Sequence, residues 1–457
     1  MRINFAGIVT ALVLLTSVSP EWSLAAPADE NRLTDKVVHP QTQNFPERPR
    51  LLLEWGERFL SPGPLGEGWK IPTGATWHPA LWVFGSLRTG LQAVDRGPRT
   101  AEWANRLDIF ANLRLSGTER IVVGFRPLNE INAAGYRFRP SGSPLTGWQD
   151  HFSGELKSLF LEGEIGEIFP RWDNDDRRAL DIGFSVGRQD LVFQDGMLIN
   201  DTMDAVGLTR NSLMPWGLTN FRVTGLYGWN NINRNNSLED NSAHFFGLFT
   251  EADSRRTTVH VDLAYILAKA ATGDAFYGGV SAVQNIGPFS SLFRVNASVP
   301  VEGNTPATGR GALIFSEWSW LQPHTNNLVY FTNFWSIRRY SAAGRDPVSP
   351  GPLSRAGILF SPSPMGSYGA ALSGQTQDVA GGSLGYQMTF ARDRKQLIIE
   401  AGGRKDTNGI GAGAAAIGFR YQNAVGRRVV VQIDGFGTKE QHRDVAFGTR
   451  LEILTKF

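Results

Sequence analysis

The chain has no cysteine in 457 residues. That excludes a disulfide framework and any metal site built on thiolates, and it suits passage through an oxidising compartment. An excess of charge of one sign is also lacking. Lys and Arg number 45 against 43 Asp and Glu, a formal net charge of +2, and no basic block stands out as a nucleic-acid footprint. Beyond Ala26 no stretch approaches the roughly 18 apolar residues of a transmembrane helix. Long 3.6-residue periodicity is missing, as is a repeat of about 40–50 residues with a blade signature, which disfavours a propeller. No His-x-x-x-His spacing offers a zinc site, so neither metal nor cofactor is expected. Disorder is excluded by 41% hydrophobic and 19% charged residues.

What is present begins with Arg2, followed by an apolar run from Phe5 to Val18 and small residues at Ser23, Ala25 and Ala26. This is the pattern of a secretory signal peptide and predicts cleavage after Ala25. The run is shorter than the roughly 20 apolar residues a membrane anchor needs. Three parts are expected: a signal peptide at 1–25, an N-terminal periplasmic or lumen segment at 26–75, and a barrel at 76–457. "RPRLLLEWGERF" (48–59) is open to three readings: a periplasmic extension, a lumen plug, or an extra strand.

The mature chain is dominated by period-2 alternation. In "NRLDIFANLRLSG" Leu107, Ile109, Ala111, Leu113 and Leu115 share one face, and Arg106, Asp108, Phe110, Asn112 and Arg114 the other. "SGTE" turns the chain, and Ile121, Val123 and Phe125 return on the greasy side, so a hairpin is expected. "TTVHVDLAYIL" sets Val259, Val261, Leu263, Tyr265 and Leu267 against His260, Asp262 and Ala264. Walking back from the C-terminus predicts strands at 78–91, 102–115, 119–127, 155–166, 178–190, 204–212, 218–229, 243–250, 256–267, 275–284, 290–299, 311–321, 327–337, 381–391, 395–403, 411–422, 428–437 and 445–457. That is an even count of about eighteen, with short turns at one rim and longer connections at the other. The region 340–380 is rich in Pro and Gly and is expected either to add two short strands or to fold into the pore as one loop.

These features predict an all-β fold, a transmembrane antiparallel up-and-down β-barrel. A closed sheet pairs every backbone N–H and C=O and leaves no edge, which hydrocarbon demands. The greasy faces would meet lipid and the charged faces a wet lumen. The final strand carries Gly448, Leu451 and Ile453 and closes on Phe457. This resembles the C-terminal insertion signal of bacterial outer-membrane barrels, which implies the barrel assembly machinery as a partner and the outer membrane as the location.

Parity directs Arg88, Arg106, Arg114, Arg120, Arg126, Arg222, Arg294, Arg420 and Arg450 into the lumen, with Asp108, Asp262, Glu317, Glu400, Asp434 and Glu452 as acids. Rings of guanidinium groups favour anions. The competing reading pairs these charges across strands as wall stabilisers. Asn112, Asn296, Asn333 and Gln432 are placed to hydrogen-bond a sugar or simply to line a wet wall. "VGRQDLVFQDGMLIND" (186–201) resembles a stretch of the alginate-export family through Gly187, Arg188, Gln189, Asp190, Gly196, Leu198 and Ile199; Met197 stands where that family tends to have Arg. The resemblance implies an eighteen-stranded porin with an electropositive lumen passing an anionic polysaccharide. The expected function is passive passage of hydrophilic, anionic solutes, small or polymeric, with no nucleic-acid partner and no assigned oligomeric state. A barrel-embedded enzyme and a non-conducting sleeve are the rivals. For the enzyme only His260 and Asp262 share a strand face, and no Ser is placed beside them. "WDNDDRR" (172–178) lacks the Gly and distal Glu of a calcium loop, and "GIGAGAAAIG" (409–418) lacks the strand–loop–helix context of a phosphate loop.

Overall fold

A computed structural model describes residues 50–59, 67–97, 99–128, 136–140, 146–149, 152–172, 180–269, 271–347, 351–409 and 411–457. The signal peptide expected at 1–25 and most of "WDNDDRR" lie outside them. Alternating segments become eighteen strands: β1 (Ala80–Asp95), β2 (Arg99–Arg114), β3 (Arg120–Phe125), β4 (Leu156–Glu164), β5 (Ile182–Phe193), β6 (Ile199–Leu213), β7 (Asn220–Asn230), β8 (His244–Asp253) and β9 (Thr257–Leu267). They continue as β10 (Ala275–Ile286), β11 (Phe289–Pro300), β12 (Gly311–Leu321), β13 (Leu328–Arg339), β14 (Gln377–Phe390), β15 (Lys395–Asp406), β16 (Ala414–Val425), β17 (Val429–Glu440) and β18 (Val445–Lys456). Each pairs antiparallel with the next, and β18 pairs with β1, so the sheet closes. "GIGAGAAAIG" runs into β16.

The faces divide as alternation requires. Leu263 is 57% exposed on the protein alone, Val295 49% and Phe447 56%, whereas Asp262, Arg294, Arg450 and Glu452 are all under 5%. The oily stripe therefore lies outside and the charges inside, the reverse of a soluble barrel. Connections at the rim near Phe457 include short turns at 254–256, 287–288 and 426–428 and a longer one between β4 and β5, while the far rim carries the longer connections between β3 and β4, β7 and β8, and β13 and β14.

Two inserts leave the wall and occupy the lumen. β5 pairs with β4 only as far as Arg188–Leu159, and β6 pairs with β7 only from Asp204–Asn230 onward. Beyond those points the two strands pair with each other and fold inward as a hairpin. The bend is at Gly187, whose φ of +125 is open to glycine, and a β-carbon there would collide with the Leu159 carbonyl oxygen. The hairpin buries Leu191, Leu198, Ile199 and Met203 against Phe245, Phe249, Ile266 and Tyr277 of the wall. The stretch 186–201 is thus this insert.

The second insert is formed by residues 340–347 and 351–376, which answers the question left open for that region: they fold into the lumen, with a two-residue strand at Gly344–Arg345. That strand pairs parallel with Ile199–Asn200 of the hairpin. The loop then follows the inner wall. Ala356 accepts hydrogen bonds from Thr332 of β13 and Ser383 of β14. Glu400 of β15 accepts the N–H groups of Ile358 (2.9 Å) and Leu359 (3.0 Å). Arg106 of β2 reaches the Pro364 carbonyl at 3.2 Å. Leu353, Leu359, Phe360 and Leu372 form a dry core with Leu313, Phe315 and Phe334 of the wall.

Residues Leu53–Trp55 form a short strand on β1, opposite Val83–Leu81, just below the point where Phe457 and Gly85 exchange hydrogen bonds of 2.9 and 3.0 Å. It extends the near rim at the closing seam without crossing the wall, so the even count stands.

Candidate functional site

Register across the sheet gathers five of the nine arginines singled out by parity into one belt. Asp434 lies opposite Arg420 on one side and Arg450 on the other. Arg420 Nε donates to Asp434 at 2.6 Å, and Arg450 donates to it through Nε (2.9 Å) and Nη2 (2.7 Å). Arg450 also meets Glu452 at 3.2 Å, and Arg88 meets Glu452 at 3.3 Å. Arg88 stands opposite Arg106. Asp108 accepts from Arg106 at 2.8 and 3.2 Å and from Arg126 at 2.6 Å. Five guanidinium groups therefore share three carboxylates, leaving the belt a net +2. It runs from β16 through β18 and β1 to the end of β3.

The other four arginines lie elsewhere. Arg114 pairs with Glu57 and stacks over Trp82, 5.1 Å from its ring centre. Arg120 pairs with Glu162 and Arg222 with Glu251. Arg294 is capped by the hairpin tip: its Nε donates to Gln194 (2.8 Å) and its Nη2 to Asp195 (2.6 Å), while Gln194 Nε2 donates to Asp262 (2.6 Å). Every one of the nine arginines thus has a carboxylate partner. The pairing expected as the competing reading is present throughout, and it coexists with the belt's excess. Asn296 is fully buried and Gln432 donates to Asp434, so neither is a free sugar contact.

Polar cavities border the inserts. One of about 1080 Å³ opens on the near side, and one of about 800 Å³ on the far side. Leu191 to Asp195 line the first and Gly187, Arg188, Thr202 and Asp204 the second, so the hairpin stands between them. The near cavity is acidic, with Glu162, Glu164, Asp181, Asp195, Glu251, Asp262 and Glu317 against Arg222, Arg294, Arg355 and His260. The far cavity is mixed, with Arg126, Lys157 and Arg188 facing Glu155, Asp204, Glu239 and Asp346. Within it, Lys157 of the β4 wall pairs with Asp346 of the inner loop, and Thr202 of the hairpin also donates to Asp346 at 3.2 Å. Wall, hairpin and loop meet there.

Sequence reasoning did not single out Gln194, Asp195, Lys157 or Asp346. The one visible signal was the polar triplet Gln194–Asp195–Gly196 between apolar Phe193 and Met197, which a wall turn does not require.

His260 and Asp262, the pair singled out for an enzyme, do not meet a hydroxyl nucleophile among the described residues. His260 faces Glu251 at 3.8 Å, Asp262 is taken by Gln194, and the buried hydroxyl of Ser281, opposite His260, has no hydrogen-bond partner. Among the described residues no group of three or more His, Cys, Asp or Glu is placed to hold a metal ion. Gly448 is buried within β18, with Leu451 and Ile453 on its outward-facing side.

No family model matches the chain, and no curated protein matches its sequence. Solved structures share its fold. Pseudomonas aeruginosa OccK2 (OpdF) is similar at a TM-score of 0.58 and 8% identity, over 82% of this chain and 97% of that one. Pseudomonas aeruginosa OpdK, crystallised with vanillate, is similar at 0.56 and 9%, over 82% and 98%. Pseudomonas aeruginosa OccK11 (OpdR) is similar at 0.54 and 10%, over 82% and 96%. The chain thus has the closed eighteen-stranded antiparallel fold of outer-membrane porins. The alginate-export resemblance is not shown by these comparisons.

Proposed function

We propose that the protein is an outer-membrane porin for passive passage of small hydrophilic solutes, with a preference for anions. The observation that carries this reading is the belt of five arginines on three carboxylates in a lumen-facing wall. A fixed +2 there raises local anion concentration, and guanidinium forks suit carboxylate and phosphate. The fold shared with porins supports passage, and OpdK, which shares that fold, was crystallised with vanillate, a carboxylate. Cavities of about 1080 and 800 Å³ favour a small solute over a polymer. Residues 1–25 would direct export, and the final strand ending on Phe457 would be read by the assembly machinery of the outer membrane.

A non-conducting sleeve is the second reading, favoured by how much of the lumen the two inserts fill. Planar-bilayer recording separates them. A porin gives stepwise current, with a reversal potential on the anion side in a KCl gradient. Silence from a folded, heat-modifiable barrel supports the sleeve, and a cation-side reversal potential removes the anion preference.

A further inference from the structure

We propose that Arg345, on the inner loop, is an oxyanion seat that takes a carboxylate or phosphate group from the lumen. Among the described residues it is the arginine inside the barrel whose side chain has neither a hydrogen bond nor an ion pair. The wall arginines must give up an internal carboxylate before they can grip a solute. Arg345 has nothing to give up.

Its backbone is held firmly. Gly344–Arg345 pairs with Ile199–Asn200, and flanking bonds run from Ala343 N to the Leu198 carbonyl and from Asp346 N to the Asn200 carbonyl, both 2.8 Å. Alternation along this strand sends residues 344 and 346 to one side. A β-carbon on Gly344 would lie 3.0 Å from the Asp201 side chain, and Asp346 is occupied by Lys157 and Thr202. Arg345 projects to the other side, away from those acids. Its guanidinium is half-buried and rests over Gly351, where a β-carbon would come within 2.6 Å of Nη2. Burial lowers its affinity for protons below the ordinary value, with no carboxylate acting against that shift. A partly desolvated cation without a counter-charge is costly to keep. An arriving oxyanion removes that cost and takes two N–H donors of the fork at once.

The inference rests on the porin reading, because that reading supplies the solute path, but its test does not depend on conduction. Calorimetry of the detergent-folded barrel would titrate inorganic phosphate and, separately, benzoate. Wild type is expected to bind at one saturable site. Arg345→Gln should weaken binding about tenfold or more. Arg345→Lys, which keeps the charge but loses the fork, should fall between. Gly351→Ala, which keeps the arginine but displaces it, should weaken binding as well. Phosphate binding without benzoate binding would assign the seat to phosphate groups, and the converse to carboxylates. No saturable heat in wild type with either probe overturns the proposal, as does unchanged affinity in Arg345→Gln. If that variant does not fold, unchanged affinity in both Arg345→Lys and Gly351→Ala overturns it. A barrel that binds phosphate but passes no current refutes the porin reading and leaves the seat standing.

Discussion

Asp108 offers the sharpest test of the belt because it serves two arginines at once. Asp108→Asn changes the net charge of the belt from +2 to +3, and Arg106→Gln changes it to +1. A unit charge roughly 8 Å from the solute path, at an effective dielectric between about 80 and 20, is worth about 0.5 to 2 kcal/mol. The effect has opposite signs for chloride and potassium, so their permeability ratio moves by about 1 kcal/mol at the weak end, near fivefold. The assay is the reversal potential across a bilayer near 0.1 M KCl, where the Debye length is about 10 Å, repeated near 1 M, where it is about 3 Å. Asp108→Asn should shift the potential further to the anion side and Arg106→Gln back from it, with both shifts shrinking in high salt. The three side chains of this cluster are only 9–14% exposed, so Asp108→Asn also strands two arginines, at a cost of about 3–5 kcal/mol, while Arg106→Gln leaves Asp108 paired with Arg126. Heat-modifiability on a gel must therefore confirm a folded barrel. Two folded variants that shift the potential in the same direction would refute the assignment of selectivity to the belt.

Two further outcomes follow from the inserts. Gly187→Ala forces a left-handed residue, at about 1–2 kcal/mol, and drives a β-carbon into Leu159; it should lower the temperature at which the barrel loses its folded gel mobility. Gly183→Ala, whose β-carbon would sit 3.8 Å from the nearest atom, should not, and equal behaviour of the two would contradict the hinge. Glu400→Ala strips the acceptor from the N–H groups of Ile358 and Leu359 and from the Tyr330 hydroxyl, about 1–3 kcal/mol for each donor left unpaired. Open-channel current noise should rise as the inner loop loosens, and a trace as quiet as wild type would argue against that anchor.

The wall was legible because its signal is local. In Thr257–Leu267 each residue declares its side by parity, and the observed strand begins one residue from the expected start. Arg88, Arg106, Arg420 and Arg450 are each legible singly from parity, and nothing in the sequence joins them into a belt. The acids Asp108, Asp434 and Glu452 stand in the sequence by the same parity, whereas Glu251, the partner of Arg222, falls past an expected strand end at 250, and the register that sets Asp434 between two arginines is a property of three strands together. The inserts were the least visible. Met197, Leu198 and Ile199 are consecutive apolar residues buried on all sides, so they carry no period, and the loop 351–376 buries Leu353, Phe360 and Leu372 with only a three-residue 3-10 turn, Ser354–Ala356, to announce it. Strands facing lipid and water differ in polarity on every step; a segment enclosed by protein has no such contrast to display.

The joint between β18 and β1, continued below by Leu53–Trp55, has a mechanical corollary. Eighteen strands spaced about 4.8 Å apart in an unbroken hydrogen-bonded ring fix the girth of the cylinder. Widening it would mean rupturing a whole ladder. If the barrel conducts as proposed, any modulation of throughput, by voltage or by occupancy, would then arise from movement of the hairpin and the inner loop within a rigid sleeve, and not from breathing of the sleeve itself.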